Sequence, residues 1–339
     1  MGFDRRIEWI DMARGIGILL VIAGHTFSLS WCYPIYAFHI PLFFFLTGLA
    51  SSFGRERGFM SFLRDKACTL LVPWILLLCI SMVVVMFVPE WRSLLTVKNM
   101  CRDLYTSNTN FAQNSSLWYL MGAFWTVVFL RIMFFDFRLK RLTMIVALVC
   151  VAIIALLLPL ILDYSPLPAK RLPFKIDSAL LGVVFAGGGF ILKDWIKTTW
   201  DRKHLWLFVM LFLCALFLSA FNGFTNVNGL IFGRSPIVYY PIAFCCIWGV
   251  IAFCRILEKS QTACRFLSFY GKNSLIIFGF QSLFIRAYLQ IVMKMTGAEL
   301  VLYGDNYWLH QVMSFVIVSF VLSPMLVFVW LRVKGVFHI

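Results

Sequence analysis

The stretch LTMIVALVCVAIIALLLPLIL, residues 142–162, contains no charged side chain and is bounded by Arg141 and Asp163. Its length matches the roughly 20 apolar residues that a helix needs to cross the hydrocarbon core of a bilayer. The stretch therefore predicts a transmembrane helix, and similar stretches recur along the chain.

The overall composition supports a membrane protein. Hydrophobic residues make up 62% of the chain and charged residues 13%, whereas soluble domains carry about 25% charged residues. Most of the outer surface must therefore face lipid. The basic excess, 30 Lys and Arg against 15 Asp and Glu, lies in short tracts between apolar stretches, which is typical of membrane topology and not of a nucleic-acid binder. The expected partner is the lipid bilayer, with no nucleic acid.

Apolar stretches of suitable length predict an all-α, polytopic integral membrane protein of about ten transmembrane helices. We expect residues 1–339 to form a single membrane-embedded domain. The predicted spans lie near 9–30, 36–53, 67–88, 117–135, 142–162, 175–192, 205–222, 236–254, 269–293 and 309–331.

Lys and Arg residues between the spans indicate the orientation of the chain. With the N-terminus inside, every inner connection is basic, and the outer connections hold fewer basic residues. The positive-inside rule then predicts cytoplasmic N- and C-termini. The expected location is the inner (cytoplasmic) membrane, as a multi-pass protein.

The ten cysteines do not form a metal-binding or redox pattern, because no C-x-x-C pair occurs. Most of them lie in apolar stretches, where cysteine acts as a small apolar residue. Cys32 and Cys101 fall on the predicted outer side, and a disulfide between them is left open. We expect no metal site.

The first span, IEWIDMARGIGILLVIAGHTF (residues 7–27), contains Asp11, Arg14 and His25. Ionisable side chains at membrane depth are costly and indicate function by default. Arg14 and His25 are eleven residues apart, so they share nearly one helix face and are separated by about 16 Å along the axis. Alternatively, Arg14 snorkels to the inner headgroups while pairing with Asp11, and His25 bonds a neighbouring helix.

The second span begins with YAFHIPLFFFLTG (residues 36–48), which places His39 at its outer end. Because the connection from the first span is short, we expect His39 and His25 on the same side of the membrane. Converging titratable groups indicate a functional site. A metal site is not expected, since no Cys, Asp or Glu nearby would complete the ligand set.

Few other polar residues lie within the spans. Asp177 begins the sixth span, where it could orient an imidazole or pair with Lys175. Gln281 and Arg286 lie in the ninth span, and Arg286 is expected to snorkel outward.

Arg14-x10-His25, preceded by Asp11 and followed by FHIPLFFFLTG (residues 38–48), resembles the signature of membrane-bound acyltransferase family 3. The resemblance extends to SLWYL (116–120) and GKNSLIIFGFQ (271–281). The sequence is most similar to the fucose 4-O-acetylase type of sugar O-acyltransferase. It departs from the family at Gln281, where members often carry His.

This resemblance implies transfer of an acyl group, usually acetyl, from acetyl-CoA or another acyl-CoA to a hydroxyl of a cell-surface polysaccharide or lipid-linked sugar. Acyl-CoA is then a co-substrate, and no permanently bound cofactor is expected. We expect Arg14 to bind the phosphates of CoA, His25 to act as the general base or to form a covalent acyl-histidine, and His39 to orient the acceptor. The expected substrate-binding residues are Asp11, Lys175, Asp177 and Gln281.

Two other functions fit a polytopic chain. A transporter or flippase for a glycan-related solute is the main alternative, but secondary transporters usually show internal repeats, and we find none. A purely structural membrane protein would have no reason to keep Arg14 and His25 on one face.

Overall fold

The computed structural model describes residues 8–52, 58–198, 202–297, 299–300 and 308–337. These residues form α-helices with short π and 3₁₀ turns and one small hairpin. The helices are α1 (Glu8–Thr26), α2 (Leu29–Tyr36), α3 (His39–Ala50), α4 (Phe59–Lys66), α5 (Val72–Phe87), α6 (Pro89–Arg92), α7 (Val97–Thr106), α8 (Trp118–Arg131), α9 (Arg141–Asp163), α10 (Ile176–Ile191), α11 (Lys193–Thr198), α12 (Arg202–Asn222), α13 (Pro236–Leu257), α14 (Gln261–Lys272), α15 (Ser274–Thr296), α16 (Trp308–Val316) and α17 (Ser323–Phe337).

Short turns extend several of these helices. π-helical turns at Ala67–Leu71, Ile132–Asp136 and Ile317–Leu322 follow α4, α8 and α16. The 3₁₀ turns lie at Asn110–Ala112, Ser115–Leu117, Pro168–Lys170 and Pro173–Lys175. Two antiparallel strands, β1 (Thr225–Asn226) and β2 (Ile231–Phe232), form the hairpin.

Nine helical segments within the described residues are long and apolar enough to cross a membrane. They are Leu29–Ala50, Phe59–Phe87, Ser115–Asp136, Arg141–Asp163, Pro168–Ile191, Leu205–Asn222, Pro236–Leu257, Ser274–Thr296 and Trp308–Lys334. Helix α1 coincides with the remaining predicted span and is less apolar because it carries Asp11, Arg14 and His25. The prediction of an all-α polytopic membrane protein is confirmed.

Several predicted boundaries are wrong. The first span was expected to end near residue 30, but α1 ends at Thr26. The third span was expected to start near residue 67, but its helical segment starts at Phe59. The second span was expected to start at residue 36, but helical structure begins at Leu29 and is interrupted only between α2 and α3. Residue 53, its expected end, lies outside the described residues. The ninth span was expected from residue 269, but Asn273 separates α14 from α15, so residues 269–272 belong to another helix.

The chain forms two compact units. Unit 1 contains Met1–Phe43, Trp200–Phe224 and Ile237–Ile339. Within it, α1 is almost entirely buried and packs mainly against α14, with further contacts to α15 and α16. The helix α1 is therefore the central element of this unit.

Unit 2 contains Phe44–Thr199 and Thr225–Pro236. Its centre is α10, which packs against α8 and α9. A Cβ at Gly48 would lie 1.7 Å from the carbonyl oxygen of Ala186, and one at Gly189 would lie 2.2 Å from that of Phe45. Only glycine permits this backbone contact between α3 and α10, which explains why Gly48 and Gly189 stand at these two positions.

Candidate active site

Helix α1 carries two of the predicted site residues without interruption. It runs from Glu8 to Thr26, so Arg14 lies in its first half and His25 in its last turn. Both side chains are partly accessible, whereas most residues of α1 are buried. An unbroken helix maintains the separation of about 16 Å that eleven residues impose.

The guanidinium of Arg14 is oriented by a buried carboxylate. Arg14 Nη1 lies 3.5 Å from Oδ1 of Asp11, one helical turn earlier, and the Arg14 side chain is 30% exposed. Asp11 itself is buried. The predicted pairing of these residues is therefore present, and the accessible part of the guanidinium can still contact an anion.

Helix α14 contacts α1 directly at this pair. A Cβ at Gly271 would lie 1.8 Å from the carbonyl oxygen of Asp11, and a Cβ at Gly15 would lie 2.0 Å from that of Leu267. The backbones of α1 and α14 are therefore in contact at Asp11, one helical turn before Arg14. Most of α14 falls in a predicted inner connection, so this support was not predicted.

At the other end of α1, two histidines come close together. His39 is buried at the start of α3, and both His39 and Arg286 act electrostatically on His25. The expected convergence of the two histidines is present within unit 1. The guanidinium of Arg286 was not expected near His25, because the sequence predicts that Arg286 snorkels outward.

The ring of His39 has a defined orientation. Its Nδ1 lies 2.7 Å from the carbonyl oxygen of Ile35. A carbonyl oxygen can only accept a hydrogen bond, so Nδ1 carries the proton and donates it. In the neutral ring, Nε2 therefore holds the lone pair and is a hydrogen-bond acceptor. A group that orients or deprotonates a hydroxyl must be such an acceptor.

Tyr36 connects the two histidine-bearing segments. Its hydroxyl donates a hydrogen bond of 3.0 Å to the carbonyl oxygen of Gly24, the residue before His25. The Tyr36 ring meets the His39 ring edge-on at 5.1 Å between centroids, and Phe224 packs on its ring at 5.2 Å. These contacts hold α2 against the last turn of α1.

Two of the predicted substrate-binding residues belong to unit 2. Asp177 Oδ2 forms an ion pair of 2.5 Å with Nε of Arg171, and Asp177 Oδ1 accepts from the backbone N–H of Ser178 at 2.7 Å. Lys175 is buried, donates to Oδ1 of Asn228, and lies 5.8 Å from the Trp118 ring.

Within unit 2, the ion-pair partner of Asp177 is therefore Arg171. The role of Asp177 and Lys175 in substrate binding stays a prediction. Gln281 is fully buried in α15 of unit 1, and its role also stays a prediction.

A protein-family model described as an acyltransferase domain (Acyl_transf_3) matches residues 7–332. The chain belongs to this acyltransferase family. The match covers nearly the whole chain and confirms the resemblance seen in the sequence.

Similar proteins are the nodulation proteins NolL of two bacteria. The chain is 25% identical over 236 residues to the protein of Mesorhizobium japonicum, covering 65% of this chain and 56% of that protein. It is 28% identical over 226 residues to the protein of Sinorhizobium fredii, covering 61% of this chain and 55% of that protein. The chain thus spans about half the length of these relatives. No solved structure matches it.

All ten cysteines are free thiols, so the disulfide left open between Cys32 and Cys101 is not formed. Among the residues that the structure describes, no three His, Cys, Asp or Glu side chains come together in a way that could hold a metal ion.

Proposed function

We propose that this protein is a membrane O-acyltransferase that moves an acyl group, typically acetyl, from acyl-CoA to a hydroxyl of a cell-surface polysaccharide or lipid-linked sugar. The observation that carries the proposal is that Tyr36 contacts both His39 and Gly24, the residue before His25, in a chain that belongs to an acyltransferase family. Its proposed setting is the inner (cytoplasmic) membrane.

The proposed reaction is one acyl transfer. The acceptor hydroxyl oxygen forms a bond to the thioester carbonyl carbon as His25 takes the hydroxyl proton. The carbon–sulfur bond then breaks, and the proton passes from His25 to the departing thiolate, which gives the O-ester and free CoA. A covalent acyl-histidine on His25 is the alternative route.

Arg286 and His39 have separate tasks in this mechanism. Negative charge develops on the thioester carbonyl oxygen during attack, and a fixed guanidinium beside His25 would stabilise it. The Nε2 lone pair of His39 would accept a hydrogen bond from a second hydroxyl of the sugar acceptor, because Nδ1 is committed to Ile35. The acceptor would then be oriented towards His25.

Arg14 is proposed to bind the phosphates of CoA. Its partly exposed guanidinium is paired with Asp11 on one side. The distance of about 16 Å along α1 suits an extended thioester donor that is held by its phosphates at Arg14 and reacts at His25.

The first test is acetyl transfer by the purified protein in lipid nanodiscs, measured as thiol release from acetyl-CoA. The second test is the appearance of radiolabelled acetyl on the surface glycans of cells that contain the protein. His25→Ala should lower turnover at least about 100-fold. His310→Ala, which removes a half-buried histidine from α16 in the same unit, is the matched control. Full turnover in a folded His25→Ala variant would refute the proposal.

Two substitutions test the role of His39 separately. In His39→Asn the amide can still donate to the Ile35 carbonyl, but no group replaces Nε2. In His39→Gln the amide reaches the Nε2 position and the bond to Ile35 is lost. We expect His39→Asn to keep wild-type stability and to lose acceptor turnover. Unimpaired turnover in His39→Asn would exclude a role for Nε2.

A further inference from the structure

A cavity of about 680 Å³ lies in unit 2, where α8 ends and the chain turns into α9. Its walls include Arg131, Phe134, Phe135, Asp136, Arg138 and Phe190. None of these residues has a part in the proposed acyl transfer. The connection between α8 and α9 is on the side predicted to face the cytoplasm.

The cavity contains a buried cation. The Arg131 side chain is only 7% exposed, and its guanidinium lies 5.6 Å from the Phe62 ring and 5.7 Å from the Phe135 ring. Nε of Arg131 is 3.4 Å from Oδ1 of Asp136, whose side chain is 34% exposed. Arg138 also lines the cavity, so the lining has two guanidinium groups for one carboxylate, and its net charge is positive.

The backbone at this cavity is unusual. Helix α8 passes into the π-helical turn Ile132–Asp136, a conformation that is found frequently at functional sites. Arg138 follows with a φ of 50°, which costs energy in a residue other than glycine. A rare helical turn and one strained residue therefore adjoin the two arginines that line the cavity.

The remaining wall is aromatic. Phe190 packs against Phe134 at 5.5 Å and against Phe135 at 5.7 Å between ring centroids. A volume of about 680 Å³ suits a small organic molecule, and an inorganic phosphate alone would leave most of it empty. Guanidinium groups bind phosphate oxygens with paired hydrogen bonds.

We propose that this cavity binds a phosphate-bearing organic ligand, with the phosphate between Arg131 and Arg138 and the organic part on the Phe134–Phe190 wall. Two sources on the cytoplasmic side supply this chemistry: soluble nucleotides and the headgroups of anionic phospholipids. The proposal does not depend on acyl transfer, because binding is measured without turnover.

The experiment uses the purified full chain in phosphatidylcholine nanodiscs, titrated with a fluorescent ADP analogue. A parallel arm compares the Tm in phosphatidylcholine and phosphatidylglycerol nanodiscs without nucleotide. Arg138→Gln changes an exposed lining residue, and Arg131→Lys keeps the buried charge but loses the paired hydrogen bonds. Arg141→Gln is the matched control, because Arg141 is an exposed arginine of α9 that donates to the Ile191 carbonyl.

Saturable ADP binding that weakens at least about tenfold in Arg138→Gln and not in Arg141→Gln would support the nucleotide as ligand. A phosphatidylglycerol-dependent rise in Tm that disappears in Arg138→Gln would support the phospholipid headgroup instead. The proposal is overturned if the wild-type protein shows neither ADP binding nor the rise in Tm. It is also overturned if Arg138→Gln and Arg131→Lys both retain the wild-type effect in full. Should Arg131→Lys not fold, Arg138→Gln decides alone.

Discussion

Replacing Gly271 with Ala tests whether the contact between α1 and α14 positions Arg14. The added Cβ would lie 1.8 Å from the carbonyl oxygen of Asp11, whereas a carbon and an oxygen in contact are normally about 3.3 Å apart or more. The two backbones would have to separate by roughly 1.5 Å. Since the oxygen belongs to backbone, no side-chain rotation can relieve the clash, and the Asp11–Arg14 pair moves with it.

Overpacking of this kind costs about 1–3 kcal/mol, from which the higher helix propensity of Ala subtracts up to about 1 kcal/mol. We therefore expect Gly271→Ala to lower Tm by a few degrees and to raise the KM for acetyl-CoA. Gly122→Ala in α8 is the control, because its Cβ would meet the Trp118 ring at an ordinary 3.6 Å. Equal Tm and KM in the two variants would refute the reasoning.

Three further substitutions test the remaining contacts. Arg286→Gln removes the guanidinium from the candidate active site and should lower kcat about 10²- to 10³-fold with little change in the KM for acetyl-CoA; an unchanged kcat would exclude its electrostatic role. Tyr36→Phe removes the hydrogen bond to Gly24 and should lower the free energy of unfolding by about 1 kcal/mol. An unaltered Tm would contradict a stabilising role for this hydrogen bond. Arg171→Met leaves the buried carboxylate of Asp177 without its cation and should cost about 3–5 kcal/mol, seen as loss of folded protein on size exclusion; full recovery with wild-type Tm would contradict this.

The transmembrane class was predictable because the hydrocarbon core imposes a length on every span. The stretch at residues 142–162 matches α9, Arg141–Asp163, within one residue at each end. Helix α14 was not predicted as a separate helix, because it is short and amphipathic and no length rule applies to such a helix. Its contact with α1 depends on Gly15 and Gly271 meeting in space, which a single sequence does not reveal.

The candidate site was predictable only in part. Spacing within one helix put Arg14 and His25 on a shared face, and a short connection put His39 beside His25. Arg286 is far from both in sequence, and only folding brings it near. Asp177 was expected to pair with Lys175 or an imidazole, yet it binds Arg171 in the preceding turn. Lys175 has a φ of 60° and donates instead to Asn228.

Helix α1 is held in place near both Arg14 and His25, and the proposed reaction therefore depends on the spacing between these two residues. Backbone contact at Gly271 fixes α1 at Asp11, and the Tyr36 hydroxyl fixes it at Gly24. The helix can therefore neither rotate nor slide to compensate for a change in length. One residue inserted between Arg14 and His25 would turn them apart by about 100° and lengthen their separation by about 1.5 Å. A donor held at Arg14 would then no longer present its thioester to His25, although both residues would still be present.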